Sequence, residues 1–564
     1  MEGLLKKYFG YDTFRPLQKE IINNILNKQD SLVLMPTGGG KSLCYQIPAL
    51  KLDGITIVIS PLISLMQDQV QGLKANGVAA EYINSSLTYR EMENIKEKVQ
   101  KKEVKLLYIA PERLAVESFK VFLMTLQVNL IAIDEAHCIS EWGHNFRKEY
   151  RNLKNLKILF PNIPIVALTA TATMQVREDI LKQLELNSPK VFTSSFDRKN
   201  LNLIVSKKKN SFNKIVSLVK KNKDNPAIIY CFSRKDTENI ASKLRERGFS
   251  ALPYHAGLSN SIRKHNQDMF IKDKVHIIVA TIAFGMGIDK PDVRLVIHHT
   301  FSKSLEGYYQ EIGRAGRDGL PSDCVLFYSY GDKRKHDYFV DQIYSDSSKR
   351  NSIFKLNKMV EYCEGFECRR KSILEYFGEI AKDKCEGCDV CLKLPEIEGA
   401  DTTNVVKFKR KEDMPYDKKL FEILRRFRKK LSEAKNVPPF MIFGDVALRE
   451  MAFYFPRTRE EFLNIKGVGL QKWKDFGKSF LMIIGDYIEE NMISLSKFKD
   501  RRREAPKKKT TQKSLNAYDP WIADEDYRLT QMFSANKRIS EISLVLNRTP
   551  SSVRDRLRMH NLIY

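Results

Sequence analysis

The chain has 564 residues, which is enough for roughly three to five domains of ordinary size. Its 95 Lys and Arg against 69 Asp and Glu give a formal charge of +26, which favours a polyanionic partner, with nucleic acid ahead of an anionic membrane surface. Neither an apolar run of about 18 residues nor the apolar core of a signal peptide occurs, so we expect no membrane segment and no secretion. The nine cysteines, an odd number, then point to a reducing cytosol and to metal rather than disulfides.

Residues 8–22 mix aromatic side chains with Arg15 and Gln18. They fit an ordinary N-terminal helix with a packed aromatic face. They also fit an adenine clamp, in which Tyr11 and Arg15 stack on the base and the Gln18 amide reads its edge with one donor and one acceptor.

Residues 36–42 read PTGGGKS, between an apolar run expected to be a buried strand and an expected helix over 43–50. Backbone N–H groups at a helix N-terminus bind phosphate, and glycines let the backbone come close to it. The glycines are Gly38, Gly39 and Gly40. Lys41 would reach the β and γ oxygens of a nucleotide, and the Ser42 hydroxyl would bind Mg²⁺. Because Met35 stands where the strict motif has its first glycine, a simple flexible turn is the alternative.

A second apolar run, 130–133, ends in Asp134 and Glu135. Carboxylates at the end of a strand downstream of a phosphate loop hold the metal of a nucleotide and activate water. We therefore expect Asp134 to orient Mg²⁺ and Glu135 to polarise the attacking water. The alternative is the solvated start of a helix.

Apolar runs alternate with amphipathic segments through residue 171, and the pattern repeats in weaker form from residue 227 to 299. The runs are ITIVIS, KLLYIA, LIAI and IPIVALTA, then AIIYCFSR, HIIVAT and VRLVIHH. This alternation predicts an α/β chain with doubly wound parallel sheets, whose strand ends line one working surface. The repeat has no second phosphate loop. It carries Arg314 and Arg317, which we expect on one face of a helix, where they would act as arginine fingers that contact a γ-phosphate. The alternative is that both arginines are simply exposed to solvent.

Several motifs together resemble the RecQ family of superfamily-two DNA helicases over residues 1–395. They are PTGGGKS, SPLISLMQDQ, YIAPERL, DEAHCISEWGHNFR, ALTATA, YHAGL, VATIAFGMGIDKP and YYQEIGRAGRDGLP. The resemblance implies two RecA-like lobes with ATP between them, single-stranded DNA running 3′ to 5′ across their tops, and a function in recombination and repair. Lys148 and Ser302 stand where the family pattern leads us to expect proline.

The resemblance also implies roles for individual residues. It adds His137 to the catalytic group, and Thr37 and Gln310 to the nucleotide site. It implies that DNA contacts Trp142, Phe146 and Arg147 of an aromatic-rich loop, together with Ser233, Arg234, His255 and Thr281. It suggests that signals between nucleotide and DNA pass through Thr169, Thr171, Gly285, Gly287 and Asp289. The alternative for this loop is that Trp142 and Phe146 are an ordinary pair of residues in the protein core and do not contact DNA.

Cys385, Cys388 and Cys391 form a C-x₂-C-x₂-C group that predicts a closed structural Zn²⁺ site with a fourth cysteine upstream. Cys363 and Cys368 compete for that position. Cys368 is favoured because it precedes Arg369 and Arg370, as in the RecQ zinc module.

Relatives usually place a winged-helix domain of about a hundred residues after the zinc module, whereas here only a linker-like stretch intervenes, too short for a domain. Residues 416–487 then resemble the helical HRDC domain shared with RNase D. Its turn at 464–469 holds two glycines and is either a phosphate-binding nest or a plain connection between helices.

Residues 497–513 carry nine basic and two acidic side chains, which is typical of a solvated linker or a nucleic-acid tether. Three helices are expected beyond it, with Trp521 opening the first, 539–546 as the second, and Thr549 capping a basic third helix. That helix carries Arg554, Arg556 and Arg558. Such a module resembles helix-turn-helix DNA binders, although small trihelical modules also bind proteins.

The sequence predicts five domains and two linkers. They are lobe one (1–205), lobe two (206–335), the zinc module (336–395), a linker (396–413), the HRDC-like bundle (414–495), a basic linker (496–518) and the trihelical module (519–564).

The expected cofactors are ATP, Mg²⁺ and Zn²⁺, and the expected partners are single-stranded, duplex or branched DNA and a single-strand binding protein. We expect a cytoplasmic monomer, associated with the nucleoid if bacterial. The rival hypotheses are a translocase or RNA remodeller that leaves duplex DNA intact, and a DNA-binding scaffold with a dead ATPase.

Overall fold

The computed structural model describes residues 1–143, 146–222, 224–285, 289–397, 415–493, 523–535, 537, 539–546, 548, 550–560 and 562. Two compact units divide the chain, Met1–Ile488 and Glu489–Tyr564. Within the described residues, every helix is too short or too polar to cross a membrane.

The first lobe contains a seven-stranded parallel sheet. Its strands are β1 (Ser31–Leu34), β2 (Ile55–Ile59), β3 (Ala80–Ile83), β4 (Leu106–Ile109), β5 (Val128–Ile133), β6 (Ile165–Thr169) and β7 (Lys190–Thr193). Their order is β3-β4-β2-β5-β6-β1-β7. The central strands are buried along their whole length, as a sheet covered on both faces requires, and this is why their sequences read as continuous apolar runs. The five strands predicted here are confirmed, while β3 and β7, which have fewer apolar residues, were not predicted.

The second lobe contains a six-stranded parallel sheet. Its strands are β8 (Leu201–Lys207), β9 (Ala227–Tyr230), β10 (Ala251–Tyr254), β11 (Ile277–Ala280), β12 (Leu295–His298) and β13 (Ser322–Tyr328). Their order is β10-β11-β9-β12-β13-β8. Three of these strands, β8, β10 and β13, were not predicted; β10 contains Pro253, which an edge strand tolerates but which weakens the sequence signal.

Helices cover the two sheets. Those of the first lobe are α1 (Glu2–Leu4), α2 (Gln18–Leu26), α3 (Leu43–Lys51), α4 (Ile63–Ala75), α5 (Tyr89–Gln100), α6 (Glu117–Met124), α7 (Leu156–Leu159) and α8 (Met174–Leu184). Those of the second lobe are α9 (Ser211–Lys221), α10 (Arg234–Glu246), α11 (Asn260–Ile271) and α12 (Leu305–Ile312). Shorter 3-10 or π segments occur at Leu5–Phe9, Pro111–Ala115, Ala136–Ile139, Lys148–Asn155 and Trp473–Gly477. The α/β class with two parallel-sheet lobes is confirmed.

Two helical groups complete the first unit. The cysteine-rich group has α13 (Tyr330–Asp341), α14 (Asp346–Glu364) and α15 (Arg369–Tyr376). The bundle that follows has α16 (Lys418–Lys435), α17 (Pro439–Ile442), α18 (Asp445–Tyr454), α19 (Arg459–Leu463), α20 (Leu470–Lys472) and α21 (Lys478–Glu490), the last of which ends in the second unit. Phe443 is fully buried in the bundle, and its ring lies 4.9 Å from that of Phe480.

The glycine turn of the bundle packs against the N-terminal segment of the chain. The Gly467 N–H donates to the Gly10 carbonyl over 3.1 Å. Gly10 has φ +72°, and a Cβ built on it would lie 2.4 Å from the Val468 nitrogen, so only glycine fits there. This packing agrees with the turn as a connection between helices.

The second unit contains three described helices, α22 (Ala523–Ser534), α23 (Ile539–Leu546) and α24 (Pro550–Met559). The predicted second helix is confirmed with its bounds, whereas Trp521, Thr549 and residues 497–513 lie outside the described residues. Arg556 pairs with Asp526 inside the unit, while Arg554 is exposed. Part of the positive charge of the third helix is therefore used within the fold.

Candidate nucleotide and DNA site

A cavity of about 440 Å³ lies where the two lobes face each other. The first lobe lines it with segments that follow β1 and β5, at the carboxyl ends of these strands, and the second lobe lines it with segments that precede β12 and β13. Parallel strands bring their carboxyl ends to one edge of a sheet, which is where such folds bind ligands. The lining includes Tyr11, Arg15, Gln18, Thr37, Gly38, Gly40, Lys41, Ser42, Asp134, Glu135, Asp289, Gln310, Arg314 and Arg317. Of the residues predicted for catalysis and nucleotide binding, Gly39 and His137 stand outside this lining.

The phosphate loop follows β1 in a conformation that depends on glycine. Gly38 and Gly40 have φ of +74° and +88°. A Cβ on Gly40 would lie 2.4 Å from the Gln18 amide nitrogen, and a Cβ on Gly38 would lie 3.1 Å from the Arg317 backbone. The loop therefore has side chains of α2 on one side and the arginine segment of the second lobe on the other.

The Gln18 amide is hydrogen-bonded at both ends within the protein. Its oxygen accepts the Arg15 N–H over 2.8 Å, and its nitrogen donates to the Gly40 carbonyl over 2.9 Å. The Arg15 guanidinium donates to the Gly38 carbonyl. In this structure both side chains hold the phosphate loop. Gln18 is buried, whereas Arg15 is exposed and Tyr11 is 40% exposed, so these two members of the predicted adenine clamp are accessible.

The acidic pair lies at the end of β5. Burial and the neighbouring Glu135 raise the pKa of Asp134 to about 6, although Lys41 opposes the shift. Glu135 takes a left-handed backbone conformation, with φ +48°, which directs the chain into the next short helix. Two carboxylates and a lysine in one cavity can hold a hydrated divalent cation bound to a nucleotide.

His137 connects the acidic pair to β6. Its Nδ1 lies 2.9 Å from the Thr169 hydroxyl and 3.3 Å from the Glu135 carboxylate. Burial lowers the pKa of His137, but Cys138 and Glu135 oppose this and raise it above its usual value. The end of β6 can therefore respond to the state of Glu135.

The two predicted arginines follow a helix that ends before them. Because α12 ends at Ile312, the prediction that Arg314 and Arg317 share a helical face is wrong; they lie in a turn in which Gly316 has φ +52°. Arg314 is 2% exposed, and Arg317 donates to Asp289 over 2.6 Å. Both nevertheless line the cavity.

Arg198 was not predicted, yet it joins the two lobes at this point. It donates to the Thr37 carbonyl over 2.6 Å and to the carbonyls of Ala315 and Gly316 over 2.9 Å. A single arginine before β8 has no periodic or motif signal of its own. The Thr37 hydroxyl adds a direct bond to the Gly313 carbonyl over 3.1 Å.

The aromatic-rich loop begins just after His137 and is partly open. Trp142 is 39% exposed, and the Phe146 ring lies 4.9 Å from the Arg151 guanidinium. Arg147 donates to the Pro61 carbonyl over 2.7 Å, so it holds the base of the loop. Neither aromatic residue is buried, which does not fit the alternative of a core pair.

Lys355 of α14, also not predicted, links this loop to the helix before the arginines. Its ammonium donates to the Trp142 carbonyl over 2.6 Å and lies 3.1 Å from the carboxylate of Glu306 in α12. The Glu306 side chain is 4% exposed. One lysine therefore contacts both the predicted DNA sensor and the element that precedes Arg314.

The remaining predicted DNA residues lie after three neighbouring strands, β9, β10 and β11. Ser233 caps α10 through the Asp236 N–H at 3.0 Å, and Arg234 is exposed beside it. His255 is buried against Glu238 at 3.0 Å, and Thr281 is half-buried. Gly285 and Asp289 are described, whereas Gly287 lies outside the described residues.

Four cysteines form the metal site, and they include Cys368 rather than Cys363. The sulfurs of Cys368, Cys385, Cys388 and Cys391 lie within 4.8 Å of one another. Tetrahedral zinc with Zn–S bonds of about 2.3 Å needs sulfurs about 3.8 Å apart, so the group fits Zn²⁺. Backbone N–H groups of Cys385 and Cys391 donate to sulfurs of the group over 3.3 and 3.4 Å, which suits thiolates.

Three residues of the helical bundle line the same cavity as the phosphate loop. They are Phe440, Met441 and Lys472. The sequence provides no sign of this, because a contact between elements some 400 residues apart leaves no local pattern.

Two facing parallel sheets, a phosphate loop, an acidic pair and two arginines in one cavity define a nucleotide-driven helicase motor. Family models match the chain as a DEAD/DEAH box helicase over 15–180, a helicase conserved C-terminal domain over 208–319, a RecQ zinc-binding domain over 330–392 and an HRDC domain over 417–484. The chain belongs to the RecQ family, and it is an ATP-dependent DNA helicase with a structural zinc site.

Two curated relatives of similar length support this assignment. The chain is 38% identical to the ATP-dependent DNA helicase RecQ of Pasteurella multocida, over 85% of this chain and 93% of that protein. It is 37% identical to the protein of the same name from Bacillus subtilis, over 86% of this chain and 98% of that protein. Among solved structures it is similar to helicase Lhr of Mycobacterium smegmatis bound to ssDNA and AMP-PNP, with 20% identity, a TM-score of 0.49, and coverage of 63% of this chain and 48% of that chain.

The zinc site yields a first prediction. Cys388→Ser should release zinc and lower the melting temperature, because a structural metal site contributes folding free energy directly. Metal analysis and thermal melting would measure this. Cys363→Ala is the matched control, since this cysteine is buried but outside the group, and it should retain zinc. Loss of zinc in the control and not in Cys388→Ser would contradict the assignment.

Lys355 yields a second prediction. Lys355→Met should lower the ratio of ATP turnover with and without single-stranded DNA by roughly two- to thirty-fold, the range expected for coupling of about 0.5–2 kcal/mol. Lys355→Arg should recover part of the ratio, because a guanidinium can donate to the same two acceptors. Lys358→Met, on the same helix but paired with Glu361, should keep it. An unchanged ratio in Lys355→Met would remove this residue from the coupling.

Proposed function

We propose that this helicase hydrolyses ATP between its two lobes and moves 3′ to 5′ along single-stranded DNA, separating duplex or branched DNA in recombination and repair. The observation that supports this most is the shared cavity, in which Lys41, the acidic pair and both arginines meet. We keep the domain order proposed from the sequence, with two changed bounds: β8 (Leu201–Lys207) is placed in the second lobe, whose sheet it joins, and the whole of α13 (Tyr330–Asp341) is placed with the zinc module.

In the proposed reaction, Lys41 binds the β and γ phosphates and Ser42 and Asp134 hold Mg²⁺. Mg²⁺, when bound, neutralises charge on the phosphates. Glu135 orients the attacking water and accepts its proton. Arg314 and Arg317 stabilise the negative charge that develops on the transferred phosphoryl group, the role of arginine fingers in related chemistry. Their turn is tied to the phosphate loop through Arg198.

Coupling to DNA uses the elements next to this site. We assign Trp142, Phe146 and Arg147 to DNA sensing, since aromatic and guanidinium faces stack on any base. His137 and Thr169 carry the change to the end of β6. Ser233, Arg234, His255 and Thr281 follow the strands of the second lobe and are assigned to the single-strand track.

The partners and location follow from charge and class. A charge of +26 supports contacts with DNA phosphates beyond the motor itself. We propose a monomer that works in the cytoplasm, at the nucleoid if the source is bacterial, beside a single-strand binding protein.

A strand-displacement panel tests the function. Labelled DNA duplexes with a 3′ overhang, a 5′ overhang, a fork and a four-way junction, and an RNA duplex with a 3′ overhang, would be incubated with ATP and Mg²⁺. We expect displacement of the 3′-tailed, forked and branched DNA. DNA-stimulated ATP hydrolysis without displacement of any DNA duplex would support a translocase instead, and displacement of RNA alone would support an RNA remodeller.

Glu135→Gln tests the chemistry. Turnover should fall by roughly 10²–10⁴-fold, the usual contribution of a general base, while nucleotide binding persists because the change keeps the size of the side chain. Lys41→Ala should lose nucleotide binding and keep single-strand binding. Glu117→Gln, an exposed carboxylate in the same lobe, serves as the control. Comparable turnover in wild type and Glu135→Gln would exclude the assigned role.

The chain beyond Asn491 yields a prediction about duplex binding. Truncation after Asn491 should weaken duplex and junction binding, since the removed segment holds nine basic residues over 497–513 and further arginines. Each lost phosphate contact should flatten the slope of log K against log salt by roughly 0.9. ATP hydrolysis stimulated by single strands should persist. Equal duplex affinity and salt slope with and without the segment would show that it binds protein rather than DNA.

A further inference from the structure

The side chain of Gln69 joins the two lobes at the wall of the nucleotide cavity. Gln69 lies in α4 of the first lobe and lines the cavity. Its amide nitrogen donates over 3.0 Å to the carboxylate of Asp289, in the segment that precedes β12 of the second lobe. Its amide oxygen accepts a bond of 3.4 Å from Gln46 of α3, the helix that follows the phosphate loop. The Gln69 amide is therefore held at both ends and connects the first lobe with an acidic group of the second.

The Asp289 carboxylate binds one of the two arginines of the turn with its other oxygen. Arg317 Nη1 donates to this second oxygen over 2.6 Å, and both residues line the cavity. The Arg317 side chain is 16% exposed, and its Nε atom is buried without a hydrogen-bond partner among the described residues. A buried donor that is left unpaired is costly, so this N–H is suited to a ligand. One end of the guanidinium is thus held by the protein, while another donor remains for an anion.

Asp68, the residue before Gln69 in α4, also faces this pair. Burial and the Asp289 carboxylate raise the pKa of Asp68 to about 7, although a hydrogen bond from the Asp289 backbone N–H and the Arg317 guanidinium oppose the shift. Two consecutive residues of α4 therefore act on Asp289, one on its main chain and one on its carboxylate.

These bonds differ in kind from the other ties between the lobes at this point. The Arg198 guanidinium and the Thr37 hydroxyl donate to backbone carbonyls of the arginine turn. Such bonds place the main chain of the turn, but they leave the side chain of Arg317 without a fixed direction. An arginine side chain has large rotamer freedom, so its position has to be set by a partner of its own. Asp289, held by Gln69, is that partner.

We propose that Gln69 is a positioning residue for ATP hydrolysis, which acts on the reaction through Asp289 and Arg317. Its amide holds the Asp289 carboxylate, and that carboxylate fixes the Arg317 guanidinium at the wall of the cavity. The proposal rests on the proposed function of Arg317 as a group that stabilises charge on the transferred phosphoryl group. Because Gln69 and Asp289 belong to different lobes, their bond exists only while the lobes face each other. Correct placement of the arginine therefore depends on the approach of the two lobes.

ATP turnover by the full-length chain, stimulated by single-stranded DNA, tests this. Gln69→Met keeps the length of the side chain and removes both bonds, so kcat should fall roughly tenfold, as expected for the loss of one hydrogen bond to a charged group. Binding of a fluorescent non-hydrolysable ATP analogue with Mg²⁺ should stay within about twofold of wild type, because the arginine acts on the transition state. Gln67→Met is the matched control. This half-buried glutamine of the same helix donates to Tyr82 outside the cavity, so its replacement should leave both quantities unchanged.

Two further variants show whether the effect passes through the arginine. Gln69→Glu keeps an acceptor for Gln46 but places a second carboxylate against Asp289, so kcat should fall here as well. Arg317→Met should lower kcat more than Gln69→Met does. Adding Gln69→Met to Arg317→Met should then change kcat by less than about twofold, since the effects of residues in one hydrogen-bond network are not additive.

The outcomes separate this proposal from the one on which it rests. If Arg317→Met keeps the turnover of wild type, the function proposed for the arginine is wrong. If Arg317→Met lowers turnover and Gln69→Met does not, or if the two losses multiply in the double variant, Gln69 does not act through the arginine. Turnover of wild type in Gln69→Glu would show that only the bond to Gln46 matters. A rise in turnover in Gln69→Met would show that these bonds hold Arg317 away from the nucleotide, and loss of analogue binding would show a general support of the cavity; either result overturns the proposal.

Discussion

A small set of hydrogen bonds between the phosphate loop and the arginine turn holds the catalytic arrangement together. The Thr37 hydroxyl bonds the Gly313 carbonyl, and the Arg198 guanidinium bonds carbonyls on both sides. A guanidinium is suited to this because its donors form a fixed planar fork. The acceptors are backbone carbonyls, so the turn is held by its main chain. Arg314 and Arg317 can therefore serve a ligand without also having to hold the lobes in place.

Much of the first lobe could be predicted because its information is local. The phosphate loop and the acidic pair are each short stretches directly after a strand, and a parallel sheet brings strand ends together whatever the details of packing. The strands that were missed, such as β3 and β10, have polar residues or proline and lie at sheet edges. The helical face predicted for the two arginines failed because α12 ends at Ile312, where two glycines in the following turn disfavour helix.

The residues that could not be predicted act across long distances in sequence. Arg198 and Lys355 each contact backbone carbonyls of distant elements, and neither stands in a pattern that marks it. The zinc group is an intermediate case. Its spacing located three ligands, the resemblance to the RecQ zinc module favoured Cys368 over Cys363 as the fourth, and the positions of the four sulfurs confirm that choice. Periodicity and motifs report on neighbours in sequence, so contacts between domains are beyond their reach.

The ion pair between the bundle and the second lobe can break without leaving either charge unpaired. Arg294 lies 3.6 Å from Asp445 across the interface, and each also has a partner on its own side. Arg294 donates to Asp318 over 2.9 Å, and Asp445 lies 2.9 Å from Arg428. Breaking a buried pair is strongly destabilising when it leaves one charge without a partner. Here separation of the bundle from the second lobe leaves Arg294 and Asp445 each paired within its own domain, so the electrostatic cost of separating the two domains is reduced. The interface therefore favours one docked arrangement through complementary charge and still permits the bundle to leave it.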